Sequence, residues 1–141
     1  MSSEYKLFQL TKVFMNTHVT IKVIDVNSER AKLGIKAGFE KIAEIENLMN
    51  PYNEKTAISL LNKNGVLKNP NSDIIYVMKK AKHYYELSGG LFDVTILPLL
   101  ELAKEIRDGH VPTTEVVEES LNLVNFKNVV INRDKIYFKK N

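Results

Sequence analysis

The segment Ser88-Gly89-Gly90-Leu91-Phe92-Asp93-Val94-Thr95-Ile96-Leu97-Pro98-Leu99 brings two glycines, an aromatic ring, a carboxylate and a proline into one connection. Paired glycines let the main chain approach a ligand closely and turn its amides toward an anion or a ring edge, because no Cβ intervenes. In such a turn Asp93 is suited to accept from ribose hydroxyls or an adenine amino group, and Leu91 with Phe92 to cover a flat ring. The same residues support a plainer reading, in which Gly89 ends a helix in the left-handed conformation and Asp93 caps a turn. The sequence admits both.

Other familiar chemistry is absent from the pattern. His18, His83 and His110 fall in different elements without HExxH or any other metal-ligand spacing, and read as surface or packed imidazoles. There is no GxSxG elbow, Walker loop or GxGxxG, so neither nucleophilic hydrolysis nor a standard mononucleotide loop has support. The chain has no cysteine, which removes disulfides, thiolate catalysis and cysteine zinc sites. No catalytic residue and no metal ligand is assigned.

The formal charge of +3 is spread over alternating lysines and acids, which implies a modest preference for anions and no nucleic acid partner. Lys135, Lys139 and Lys140 form the densest basic run and read as a strand edge kept from pairing by lysines. Met1 to Lys12 carry Glu4, Lys6 and Lys12 and no apolar run of signal-peptide or membrane length. The expectation is a cytoplasmic chain with no signal peptide, lipobox or membrane segment. At 141 residues and 44% hydrophobic, it is expected to form a single folded domain, 1–141.

The elements that must position the glycine turn follow from periodicity. Tyr5 to Phe14 and His18 to Asp25 are β-branched and aromatic with partial alternation, and Asn16-Thr17 supplies turn chemistry, so a hairpin is expected. Val19, Ile21 and Val23 share its buried face, and Thr20, Lys22 and Ile24 the other. From Ser28 to Met49 the apolar positions Ala31, Ile35, Phe39, Ile42, Ile45 and Met49 recur every three or four residues, the period of one helix face, with Ser28 as N-cap and Pro51 just past the end. Ile58 to Asn62 suggests a short helix, and the polar stretch Asn62 to Asn71 a loop.

A further helix starts near Ser72 or Asp73, with Ile74, Val77, Met78, Ala81 and Tyr85 inward and Gly89-Gly90 closing it. Pro98 suits the first turn of a helix reaching Arg107, and Thr113 or Thr114 starts another through Val124. Asn128 to Asn132 and Lys135 to Lys139 read as a final hairpin. Antiparallel strands at both chain ends with four to five helices between them make the class α+β.

In this order the segments resemble the first half of the ApbE family of FAD:protein FMN transferases. Phe14-Met15-Asn16-Thr17 and the strand after it are similar to the family's Met-Gly-Thr opening and first strand pair. Leu48-Met49-Asn50-Pro51-Tyr52, with Thr56, Ile58, Ser59, Leu61 and Asn62, resembles its Met-Ser-x-Tyr stretch and the Ser-Glu-Leu-Ser-x-Leu-Asn that follows. Ser88 to Leu99 resembles Gly-Ala-Phe-Asp-x-Thr-x-Gly-Pro-Leu, the most specific of the matches. The hairpin from Asn128 to Lys139 resembles the strands that precede the family's Asp-Leu-Gly-Gly-x-x-Lys-Gly segment. Asn16, Asn50, Leu97 and Ala103 stand where the family has glycine, serine, glycine and a common tryptophan.

The resemblance implies an enzyme that splits FAD, joins FMN to a threonine or serine of an acceptor flavoprotein and releases AMP, with magnesium as cofactor. It implies that Met15, Tyr52, Leu91, Phe92 and Asp93 contact FAD, chiefly on its adenosine side. For Met15 and Tyr52 the competing reading is core packing at the ends of a strand and a helix. The family's metal-binding segments follow the position matched by Asn141. The expectation is therefore no transfer by this polypeptide alone, a complementary C-terminal ApbE-like polypeptide that brings the magnesium, and a homo- or hetero-oligomer formed through sheet edges or apolar surface. The alternative is a non-catalytic module that binds a flavin nucleotide or another protein.

Overall fold

The structure, a computed structural model, describes residues 4–139, so Lys140 of the basic run lies outside the described residues. The fold is α+β, with five α-helices and antiparallel strands among the described residues. It divides into two compact units, Met1–Ser59 and Leu60–Asn141.

The first unit is a hairpin with a long helix packed on it. β1 (Lys6–Phe14) and β2 (Thr17–Asp25) pair antiparallel, with Leu10 opposite Ile21 and Phe14 opposite Thr17. Val19, Ile21 and Val23 are half-buried while Thr20, Lys22 and Ile24 are exposed, as alternation requires. Thr17 belongs to β2, so the reversal is made by Met15-Asn16 and not by Asn16-Thr17. Both carry positive φ, 50° and 58°, the handedness that a two-residue hairpin needs to match the twist of its strands.

α1 (Ser28–Met49) buries Ala31, Ile35 and Phe39, and Phe39 stacks on Phe14 at 5.6 Å. Gly38 allows the close approach of β2: a Cβ there would stand 2.7 Å from Cδ1 of Ile21. The N-cap is Asn27, not Ser28, because Asn27 is still extended and its side chain accepts from the Arg30 amide at 3.0 Å. The helix ends at Asn50, ahead of Pro51, as expected.

α2 (Ala57–Asn64) begins in the first unit and continues into the second. In the second unit α3 (Ser72–Leu87), α4 (Leu97–Arg107) and α5 (Thr114–Leu123) accompany three short strands, β3 (Val66–Lys68), β4 (Val129–Ile131) and β5 (Lys135–Phe138), in the order β3-β5-β4. Leu61, Ile74, Met78, Ala81, Leu102, Phe126, Val129 and Ile136 are buried, each of the larger ones contributing about 1.5–3 kcal/mol if fully withdrawn from water. α5 buries no residue.

Three expectations fail here. The stretch from Asn62 to Asn71 holds β3, whose run of Val66-Leu67-Lys68 is too brief to show alternation and becomes a strand only through pairing with β5. Lys135 stands on the central strand, not an edge, opposite Lys68 and with its ammonium 4.8 Å from the Tyr137 ring centre. The final hairpin is shorter than expected, since Asn128 belongs to a 3-10 turn over Phe126–Asn128. Among the described residues no helix is long and apolar enough to cross a membrane.

Candidate functional site

In the first unit, β1 and β2 deliver Met15 to the hairpin tip and α1 delivers Tyr52 to the loop beyond its end. Met15 is 60% exposed and Tyr52 85% exposed, so neither is a packed core residue. The Met15 amide donates to Oε1 of Glu46 at 2.8 Å. Glu46 lies in the last turn of α1, whose C-cap amide returns to the Glu46 carbonyl, so the hairpin tip and the loop carrying Tyr52 meet the same end of that helix.

The loop itself is tied down by hydroxyls. The Tyr52 amide donates to Asn50 Oδ1 at 2.9 Å. The Thr56 hydroxyl donates to the Asn50 and Asn53 carbonyls at 2.8 and 3.0 Å, and Ser59 Oγ to the Pro51 carbonyl at 3.1 Å. Thr56 is 5% exposed, so these bonds satisfy a buried polar group and hold the loop while the Tyr52 ring stays in solvent.

In the second unit α3 stops where Gly89 and Gly90 enter the left-handed region with φ of 64° and 89°. The Gly90 amide donates to the Tyr85 carbonyl at 2.9 Å, and the Ser88 hydroxyl donates to the same carbonyl at 3.1 Å while accepting from the Phe92 amide at 2.9 Å. Leu91, with 94% of its surface in solvent, and Phe92, with 48%, are thereby displayed on a fixed loop. The Phe92 ring meets the edge of Tyr84 at 6.2 Å.

Asp93 anchors this loop with both oxygens. Oδ1 accepts from the Thr95 amide at 2.8 Å and its hydroxyl at 2.7 Å, and Oδ2 accepts from the Phe126 amide at 3.0 Å. A carboxylate offers about four acceptor sites, so these bonds leave about one for anything else. The helix-ending glycine and the turn-capping aspartate of the plainer reading are both present, and they produce the display of Leu91 and Phe92.

Leu91, Phe92 and Asp93 thus share one loop of the second unit, and Met15 and Tyr52 share one end of α1 in the first. Sequence reasoning missed the residues that support them. Glu46 lies on a helix face with no local signal, and Phe126 is 33 residues from the carboxylate it meets. Ser88 opens the Ser88–Leu99 segment, and its bonds to the Tyr85 carbonyl and the Phe92 amide carry no signal in the sequence. Two carboxyls are held below their ordinary value: Asp25, at the end of β2, drawn down to about 2 chiefly by the hydrogen bond from Arg30, and Glu115, in the first turn of α5, lowered by its own amide and then by Thr113. Among the described residues no three His, Cys, Asp or Glu side chains gather as a metal cage would require.

A family model described as the ApbE family matches residues 15–141. The chain belongs to the ApbE family. Its fold matches the apo flavinyl transferase ApbE of Pseudomonas stutzeri with a TM-score of 0.80 at 18% identity, over 95% of this chain and 45% of that one. The flavin transferase ApbE of Vibrio cholerae matches with a TM-score of 0.77 at 21% identity, over 96% and 46% of the two chains. The ApbE protein of Thermotoga maritima matches with a TM-score of 0.78 at 24% identity, over 95% and 45%. A search of curated proteins gave no match. The chain therefore spans less than half the length of these ApbE structures, and at such identities they establish its fold.

Proposed function

We propose that this chain supplies the FAD-facing part of a FAD:protein FMN transferase, whose magnesium-holding residues come from polypeptide matching the rest of the ApbE length. The observation that carries this reading is the ApbE match over residues 15–141, which includes the whole glycine turn and its displayed Leu91 and Phe92. In this reading Leu91 and Phe92 lie against the adenosine side of FAD, and Met15 and Tyr52 offer further apolar and ring surface. Asp93 holds the turn in shape and has one acceptor site for the nucleotide. Bound magnesium would polarise the phosphate oxygens and offset charge on the leaving AMP. The acceptor is a threonine or serine of a flavoprotein, and the reaction takes place in the cytoplasm within a homo- or hetero-oligomer that completes the site.

Two measurements test this. FAD fluorescence is titrated with the chain and with the Leu91→Ala/Phe92→Ala variant, which removes exposed side chains and leaves the fold intact. The chain is then mixed with FAD, magnesium, an acceptor domain and the C-terminal part of an ApbE relative, and the acceptor is weighed for covalent FMN. Saturable quenching that the variant weakens, followed by FMN on the acceptor, supports the proposal. Quenching without transfer under any pairing would reduce the chain to a flavin-binding module, and no quenching at all would remove the flavin reading.

A further inference from the structure

In the second unit a groove of about 490 Å³ runs between α3 and β4. One wall is α3 with Lys79, Lys82 and Glu86, and the other is β4 itself, with Lys127 and Lys139 at its margins. Among the described residues β4 is an edge strand, because the sheet order is β3-β5-β4. The direction of its main-chain groups follows from the ladder. The Asn128 carbonyl accepts from the Lys139 amide at 2.8 Å, and the Asn132 amide donates to the Lys135 carbonyl at 2.9 Å, so the alternation of an antiparallel pair turns Val130 toward β5 and Val129 and Ile131 away from it. The bond from the Phe138 amide to the Gly65 carbonyl, on the opposite side of β5, fits the same alternation. The Val129 amide turns back to the Phe126 carbonyl. What β4 presents outward is therefore the Val129 carbonyl and both main-chain groups of Ile131.

Proteins usually blunt such an edge with a lysine, a proline or a bulge in the strand. β3 carries Lys68, whereas β4 is Val129-Val130-Ile131, a strand-forming sequence without charge. The lysines line the groove beside the edge, where they select the charge of what pairs. Among the described residues that line the groove, Lys79, Lys82, Lys127 and Lys139 stand with one carboxylate, Glu86, which lies 3.8 Å from Lys82.

We propose that this groove takes an extended, acidic polypeptide segment of a partner protein as an added strand along β4. Main-chain bonds to Val129 and Ile131 set its register, and alternate acidic side chains meet the lysines. This docking site is independent of the flavin reading.

The test uses the whole chain and a fluorescein-labelled peptide alternating valine with glutamate, followed by fluorescence anisotropy. Three companions accompany it: the same peptide N-methylated at every other amide, a peptide with lysine in place of glutamate, and inorganic triphosphate as competitor. Expected are saturable binding by the acidic peptide, none by the lysine peptide, loss on N-methylation in one of the two alternating registers, and weakening of at least about tenfold in Lys79→Glu/Lys127→Glu. Circular dichroism verifies that this surface variant keeps its fold. Indifference to N-methylation in both registers, displacement of the peptide by triphosphate at equal concentration, or no binding would overturn the proposal, the first two by reducing the groove to a cluster of lysines that attracts any anion.

Discussion

At the tip of the first hairpin Met15 and Asn16 hold φ of 50° and 58° with their side chains in place, while after α3 Gly89 and Gly90 hold 64° and 89° without any. An L-residue in this region costs about 1–2 kcal/mol, which glycine avoids. The first turn accepts that cost at Met15, since asparagine enters this region more readily, and is held by nine-residue strands and by the Glu46 bond to the Met15 amide. The second places its reversal at glycines and its exposed side chains immediately after them, then fixes the loop with Ser88 and Asp93. Strain keeps a candidate contact residue inside the first reversal. In the second, the reversal and the contact residues are separate, so each can be altered without the other.

Substitutions sharpen this contrast. Removing the Asp93 carboxylate strips three bonds and leaves the Phe126 amide without its acceptor, so Asp93→Ala is expected to lower stability by about 3 kcal/mol in urea unfolding, with Asp93→Asn losing less. Gly89→Ala meets no atom within 4 Å, so its loss, about 1–2 kcal/mol, is backbone strain alone and should appear as a lower urea midpoint with unchanged slope. Met15→Gly should act in the opposite direction and raise stability by about 0.5–1 kcal/mol, since it relieves strain that the wild-type turn carries. Equal losses at Gly89 and Met15 would break the comparison. Glu46→Ala removes one partly exposed bond and should cost about 0.5 kcal/mol.

The smallest effect concerns pH. Asp25 titrates at about 2 in the folded protein, against an ordinary 3.8, because Arg30 and then the Asn27 amide bind its ionised form. A lowered carboxyl contributes stability that is fully present above 3.8 and is lost as pH falls toward about 2. Thermal melts stepped down through that window should fall more steeply for the wild type than for Arg30→Ala.

Much of the fold was legible in the residues because its periods are long and clean. The apolar stripe from Ala31 to Met49 fixed α1, and the alternation from Val19 to Ile24 fixed the buried face of β2. What escaped was decided at a distance or by single dihedrals. β3 exists through pairing with β5, residues far along the chain. Asn27 capped α1 ahead of Ser28 because its side chain, one residue earlier, reaches the Arg30 amide. At the candidate site the glycine turn was visible as a composition, while the links from Asp93 to Phe126 and from Met15 to Glu46 join positions that no local pattern connects.

The most direct test of the flavin assignment is amide hydrogen–deuterium exchange of the chain with and without FAD. The expected result is slowed exchange in peptides covering residues 14–17, 50–53 and 88–93, with Leu91→Ala/Phe92→Ala reducing the effect at 88–93. Unchanged exchange in all three at saturating FAD, or slowing confined to the groove beside β4, would contradict it.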